Sequence, residues 1–396
     1  MSRMLEDVTI LDLTRVLAGP YCGMLLSDLG AKVIKVEIPE KGDDSRAYGP
    51  YQNGESIYYA GLNRAKKGIT LNLKKEKGKK ILLELVKKAD MLIENYRPGT
   101  MEKLGLGYDV LKKANPKLIY GAVSGFGHSG PYSKRAGYDI IGQAMGGLMS
   151  TTGWPGGYPT RTGTPMGDVL GGLNLTIGLL AALHRQRETG IGEKVDVSLV
   201  DSVISSMQNI NMIYFTEGRI PERIGNRYES TYPYDSFEAS DGSVIIAAGN
   251  DKLYKILCKL MNRADLITDE RFQTVSARVE NHEALKEEIE KWSKERTIDE
   301  IAEYLNDNGL PSCPINTVDR ILKDEQFTKY RNMFPIQKHP KAGDIRLTNN
   351  AIKFINAESD PYDPAPTLGQ HNEYVYKEIL GYSDEEYQKL ANEKII

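Results

Sequence analysis

Residues 8–37, VTILDLTRVLAGPYCGMLLSDLGAKVIKVE, decide the fold. The opening VTILDL (8–13) is a β-branched, apolar run that reads as a strand. In GPYCGMLLSDLG, Cys22, Leu25, Leu26 and Leu29 recur at helical spacing, and Gly30 is a stop signal. AKVIKVE (31–37) is a second strand. Strand, helix and strand within about 30 residues make a βαβ unit, with a right-handed crossover and parallel strands.

The alternation continues downstream. GITLNL reads as a strand, KKILLELVKKAD as an amphipathic helix, MLIEN as a strand and MEKLGLGYDVLKKANP as helical. KLIYGAVSGFG is a strand running into a glycine loop. This pattern predicts an α/β fold with a Rossmann-like, doubly wound large domain over residues 1–200. Past Thr189 the texture changes. EKVDVSLVDSVISSM is a strand feeding a helix, SDGSVIIAAGND is a strand between turns, and ARVENHEALKEEIEKWSKERTIDEIAEYLNDNG is charged and helical. Residues 225–325 are expected to form a smaller α+β domain, and 330–396 to return to the first.

The chain has 396 residues, a composition 40% hydrophobic and 27% charged, and a net charge of −3. Such a balance gives no sign of a nucleic-acid or membrane partner. Cys22, Cys258 and Cys313 are odd in number and far apart, which suits neither a disulfide framework nor a zinc site. The five histidines have no metal-ligand spacing, so no metal is expected. The N-terminus runs straight into a strand pattern, without a signal peptide. The longest apolar run, residues 169–183, contains Gly171, Gly172, Asn174 and Thr176 and reads as too short and too polar to span a bilayer. A cytoplasmic location is expected.

Open α/β sheets bind ligands at the ends of their strands. The first such turn, TRVLAGPYCG, has Gly19 and Gly23 but lacks the tight G-x-G-x-x-G of dinucleotide folds, which argues against a nicotinamide or flavin. It carries Arg15 instead. The turn after MLIE carries Asn95, Tyr96, Arg97, Pro98 and Gly99, with Lys103 just beyond. Arg97 and Lys103 are able to meet phosphate oxygens, and Tyr96 to stack or pack. A plain turn with solvated cations has the same composition, and spacing alone does not separate the two.

TPMGDVLGGLNLTIGLLAALHRQRETG (164–190) places one carboxylate, Asp168, among glycines at the head of an apolar helix. Aspartate is a favoured N-cap. Yet Gly171 and Gly172 in the first turn cost helix stability, about 1 kcal/mol each relative to alanine, and glycine admits the close approach of a backbone or ligand. The helix dipole and N–H donors are expected to hold the carboxylate ionised. An ionised, accessible carboxylate is a nucleophile toward acyl carbon. The chain has no G-x-S-x-G elbow, H-E-x-x-H pair, Walker A loop or C-x-x-C.

Taken together, ILDLTRVLAGPYCGMLLSDLGAKVIKVE, GDDSR, LIENYRPGTMEKLGLGYDVL, SGFGHSGPY, AGYDIIGQAMGG, GDVLGG, GLPSCPINTVDRILKDEQF and APTLGQHN resemble the family III CoA-transferases, the CaiB/BaiF group, over almost the whole length. The resemblance implies that Asp168 is the nucleophile, moving CoA from an acyl-CoA to a carboxylic acid through aspartyl anhydride and aspartyl-CoA thioester intermediates. It implies no tightly bound cofactor, with coenzyme A and acyl-CoA as substrates. It places Arg15, Val16 and Ala18 near the thiol end of CoA, Leu71, Asn95 and Tyr96 around the nucleotide, and Arg97 and Lys103 near its phosphates. It also implies an interlocked homodimer. Formyl-CoA transferases carry a glycine run that is absent between residues 198 and 245 here, and Leu17 replaces their glutamine, which argues against formyl or oxalyl specificity.

Two rival readings stand beside this one. The α-methylacyl-CoA racemases resemble AGHD followed by an Asp, whereas this chain has AGYD, with Tyr138 in the histidine's place. A phenol of reference pKa ~10 is a poor substitute for imidazole near neutrality. A non-catalytic CoA-binding protein of the same fold is the other, and the presence of Asp168 counts against it.

Overall fold

A computed structural model describes residues 3–357 and 363–396. Residues 358–362, within the segment expected to return to the large domain, lie outside the described residues. The chain divides into two compact units. The larger comprises Met1–Leu148, Arg161–Glu217 and Glu325–Ile396, and the smaller Met149–Thr160 and Gly218–Asp324.

The larger unit is built on six parallel strands: β1 (Thr9–Asp12), β2 (Lys32–Glu37), β3 (Lys67–Thr70), β4 (Met91–Glu94), β5 (Ile119–Ser124) and β6 (Lys194–Ser198). Their order is β3-β2-β1-β4-β5-β6, the doubly wound arrangement, with every pairing parallel. Successive side chains face opposite sides of the sheet, so Ile10 joins one apolar cluster and Leu11 the other. Every residue of β4 and β5 is buried, as expected of parallel strands covered on both faces. The strand order reverses between β1 and β4, and the two chain segments leaving them diverge there.

The C-terminal segment covers the β3 edge, where unpaired strand groups would otherwise face water. The His371 N–H donates to the Gly68 carbonyl at 2.9 Å, the Thr70 N–H to Asn372 Oδ1 at 2.9 Å, and the Tyr376 hydroxyl to the Thr70 carbonyl at 2.6 Å.

Two elements sharpen or correct the sequence expectation. MEKLGLGYDVLKKANP is two helices, Thr100–Lys103 and Tyr108–Ala114, because Gly105 turns left-handed between them at φ 74°. The apolar run after Asp168 belongs to a 24-residue helix, Met166–Thr189, which by length and composition is able to cross a membrane. Polar Asn174 and Thr176 therefore do not interrupt it. Leu175, Leu179, Ala182 and Leu183 of this helix are buried in the cluster beneath the sheet, so it serves as a core helix of this unit.

In the smaller unit, strands Tyr234–Glu238, Ser243–Ala247 and Ser312–Pro314 form an antiparallel sheet with Ser243–Ala247 at its centre. Helices Asp251–Leu260, His282–Ser293 and Ile298–Asp307 contribute Leu257, Ile289 and Ile301 to a core with Phe237, Val244 and Ile246.

Candidate functional site

Asp168 is not the N-cap of its helix. The cap position is Pro165, whose side chain cannot accept a hydrogen bond, and Asp168 lies inside the first turn. The capping carboxylate comes from another segment. Asp139 Oδ1 accepts the Gly167 N–H at 2.8 Å and the Asp168 N–H at 3.3 Å. Gln143 holds Asp139 in turn, donating from Nε2 to Oδ2 at 2.8 Å, while its own Oε1 accepts the Thr162 N–H at 3.0 Å.

This arrangement reverses the expected electrostatics. Helix-terminal N–H groups were expected to hold Asp168 ionised, but Asp139 takes them. Burial, and then the like charge of Asp139, push the Asp168 carboxyl up to about 7. Tyr58 feels Asp168 in turn: burial first, and the Asp168 carboxylate second, push its phenol up to about 12.

The glycines beside Asp168 serve packing. A Cβ on Gly171 would sit 2.6 Å from Leu199 Cδ2, and one on Gly172 would sit 2.7 Å from the Ala18 carbonyl oxygen. Their absence lets the second turn of Met166–Thr189 close against the start of the Ala18–Asp28 helix. The Arg15–Ala18 turn is thereby brought across from the carboxylate.

Between them opens a cavity of about 440 Å³. Residues 15–18 from the end of β1, 95–98 from the end of β4, 123–125 from the end of β5, 135–138, Asp44, Tyr48, Leu199 and Asp168 line it. It stands at the point where the strand order reverses, as a doubly wound sheet dictates. Three guanidinium-bearing residues border it: Arg15, Arg97 and Arg135. Arg15 Nη1 lies 2.9 Å from Asp44 Oδ2, and its guanidinium is 5.6 Å from the Tyr96 ring centroid. Arg135 stacks over Tyr132 at 3.7 Å. The combination suits an anionic ligand with an acyl group reaching Asp168.

Of the residues singled out from sequence, Asp168, Arg15, Val16, Ala18, Asn95, Tyr96 and Arg97 come together here. Two do not. Leu71 is 1% exposed in the core cluster beside the sheet, and Lys103 is exposed on the Thr100–Lys103 helix, outside the cavity lining. Asn95 is present in a different capacity, since both ends of its amide are taken by the Arg15 peptide. Sequence reading missed Arg135 and Asp139. The AGYD motif pointed to Asp139 without giving it a role, and nothing in SKRAG marked Arg135 apart from other surface cations. Among the described residues, no group of three or more His, Cys, Asp or Glu side chains is placed to hold a metal ion.

Comparison with known proteins agrees with this geometry. A solved CaiB/BaiF family protein from Brucella suis superimposes with a TM-score of 0.86 at 38% identity, covering 96% of this chain and 100% of that one. The acetyl-CoA:oxalate CoA-transferase of Acetobacter aceti is 40% identical over 94% of this chain and 95% of its own length. The human succinyl-CoA:glutarate CoA-transferase is 36% identical over 99% and 90%. The family model for CoA-transferase family III matches residues 5–372. With a doubly wound sheet, a cation-bordered cavity at its switch point and Asp168 at the cavity wall, the chain belongs to CoA-transferase family III.

Proposed function

We propose that the protein transfers CoA from an acyl-CoA thioester to a carboxylic acid, with Asp168 as the covalent nucleophile. One observation carries this reading: a half-buried carboxyl, raised to about 7, at the wall of a cavity bordered by three arginines. The ionised Asp168 attacks the thioester carbonyl, forming an anhydride and expelling the CoA thiolate. The thiolate attacks the aspartyl carbonyl of that anhydride, releasing the donor acid and leaving an aspartyl-CoA thioester. The acceptor carboxylate attacks this thioester and displaces the thiolate again. The thiolate then takes the acyl group from the second anhydride and frees Asp168. Thioester energy is kept in covalent bonds throughout, so the cycle needs neither ATP nor a resident cofactor.

The substrate class we infer is the short dicarboxylic acids. Its support is the set of relatives, which act on oxalate, D-citramalate, glutarate and mesaconate, with succinyl-CoA or acetyl-CoA as the named donor. One relative at 40% identity is named for oxalate, so oxalate belongs among the acceptors we propose despite Leu17 and the missing glycine run. We place the reaction in the cytoplasm. The support is that Cys22, Cys258 and Cys313 are all free thiols, as suits a reducing compartment.

A homodimer is part of the proposal. The Gln208–Glu217 helix has no buried residue, and Met212, Tyr214 and Phe215 are 52%, 55% and 72% exposed on it. Apolar exposure of this kind marks a surface covered by another chain, and a second copy is its simplest occupant.

The test is to incubate the enzyme with succinyl-CoA, acetyl-CoA and other thioesters, trap with hydroxylamine or borohydride, and map the modified residue by mass spectrometry. A hydroxamate or alcohol at Asp168, absent in Asp168→Ala, is expected. An unmodified Asp168, together with exchange of a substrate α-hydrogen with solvent, would replace the transferase reading with that of a racemase.

A further inference from the structure

The turn between β1 and the Ala18–Asp28 helix is held almost wholly by side chains from other segments. The Thr14 N–H donates to Asp12 Oδ1 at 2.9 Å, and the Thr14 carbonyl accepts from Lys35 Nζ. The Arg15 N–H donates to Asn95 Oδ1 at 2.8 Å, and Asn95 Nδ2 donates back to the Arg15 carbonyl at 2.7 Å. The Val16 N–H donates to Asp43 Oδ1 at 3.1 Å. Five consecutive main-chain polar groups are thus each bound to a side chain, with no helix or ladder among their partners.

Two features make this scaffold unusual. Val16 sits in the left-handed region at φ 68°, where a β-branched side chain is a true outlier. Such strain persists only where surrounding structure over-determines it. The anchor Asp43 is itself secured by a buried ion pair, Lys35 Nζ to Asp43 Oδ2 at 2.9 Å, both side chains fully buried. Breaking a pair of this kind leaves a stranded charge, so the anchor does not drift. Arg15, Val16 and Leu17 are also the wall of the cavity that faces Asp168.

We propose that Asn95 and Asp43 are positioning residues that lock the Arg15–Val16 turn into a strained shape, fixing the cavity wall opposite Asp168. This rests on the transferase reading for its catalytic meaning, though the locking itself does not. A flat, unstrained turn would need no clamp. A strained valine without its clamp relaxes out of the left-handed region and carries the Arg15 side chain and the wall with it.

The test is a double-mutant cycle between Asn95→Ala and Val16→Gly, with Val16→Ala as control. Asn95 is half-buried and uncharged, so its loss strands no charge. Glycine populates the left-handed region freely, whereas alanine does not. Val16→Gly has its own effect on activity, so the coupling between the two changes is what is read. With an acyl-CoA and acid pair that the wild type uses, Asn95→Ala is expected to lower kcat/KM by about tenfold to a hundredfold. The same change made on Val16→Gly should cost markedly less, by about fivefold or more. Made on Val16→Ala, it should cost as much as in the wild type. Melting temperature, followed in parallel, should not track these differences.

A second readout needs no turnover. Amide hydrogen exchange at position 16 should quicken with Asn95→Ala in the wild-type and Val16→Ala backgrounds, and stay slow in the Val16→Gly background. Equal cost in all three backgrounds, or exchange at position 16 that ignores Asn95→Ala, would overturn the proposal. A wild type that transfers CoA between no tested pair would sink the transferase reading instead, while the exchange cycle still decides the clamp.

Discussion

Replacing Asp168 should stabilise the fold, by an amount that grows with pH. Asp168→Asn keeps the shape of the side chain and removes its ionisation. The folded carboxyl titrates at about 7 against the ordinary aspartate value of 3.8. The folded state therefore binds this proton more tightly than the unfolded chain does. That contribution to stability is complete below pH 3.8 and is lost as pH rises through 7. Above 7 the wild type bears an ionisation penalty of roughly 4 kcal/mol at most, at 1.36 kcal/mol per unit. Asp168 is partly open to the cavity, and solvent screening reduces this to about 2–3 kcal/mol. Asparagine bears no such penalty at any pH. Between pH 5 and pH 8 the advantage of Asp168→Asn should widen by about 2 kcal/mol, or on the order of 2–4 °C in melting temperature. Thermal unfolding of both proteins at the two pH values, followed by circular dichroism, reads it. An advantage that is the same at pH 5 and pH 8, or that reverses at pH 8, refutes the argument from burial and Asp139. The same variant should transfer no CoA, so activity and stability move in opposite directions at one atom.

The remaining predictions concern the same cavity. In the proposed mechanism only ionised Asp168 attacks, so kcat/KM should fall on the acid side with an apparent pKa of about 7, read from a pH profile with one donor; a flat profile down to pH 5 excludes it. Asp139→Asn keeps an acceptor for the Gly167 N–H but removes the like charge, and should move that acid limb to lower pH; an unmoved limb means burial alone sets the carboxyl. Arg135→Ala should raise KM for acyl-CoA about tenfold with kcat little changed, the mark of lost ground-state binding; steady-state kinetics decide it. Gly172→Ala should lower stability by about 1–3 kcal/mol, because its Cβ meets the Ala18 carbonyl at 2.7 Å; an unchanged melting temperature argues against that contact.

How far the sequence could be read depended on the range of the interaction involved. β1, the Ala18–Asp28 helix and β2 announce themselves through local periodicity, and parallel order follows from short crossovers. Asp168 was legible because a charge at the head of an apolar helix is locally anomalous. Its protonation was not, because burial sets it first and then Asp139, 29 residues away in the chain, and neither shows in the local sequence. The break at Gly105 was obscured for the opposite reason: an apolar pattern on both sides continued across a glycine whose left-handed turn only the backbone reveals. Arg135 had no local signal at all, since a cation in a loop looks the same whether it meets solvent or lines a cavity.

The glycines around Asp168 join these scales. Read locally, they weaken the first turn of a helix and suggest an approaching ligand. Read in three dimensions, they admit Leu199 and the Ala18 carbonyl, drawing the β1 turn up to the carboxylate. That closeness buries Asp168, and burial is the first cause of its raised titration. A carboxylate whose titration point is raised to about 7 is a stronger base than an ordinary carboxylate, and in the proposed mechanism, being poorly solvated, it would attack acyl carbon with less water to shed. On that reading, the packing that makes the ionised form costly to hold is the packing that would make it reactive. A substitution that reopened the first turn to water would lower the carboxyl's titration point and the enzyme's turnover together.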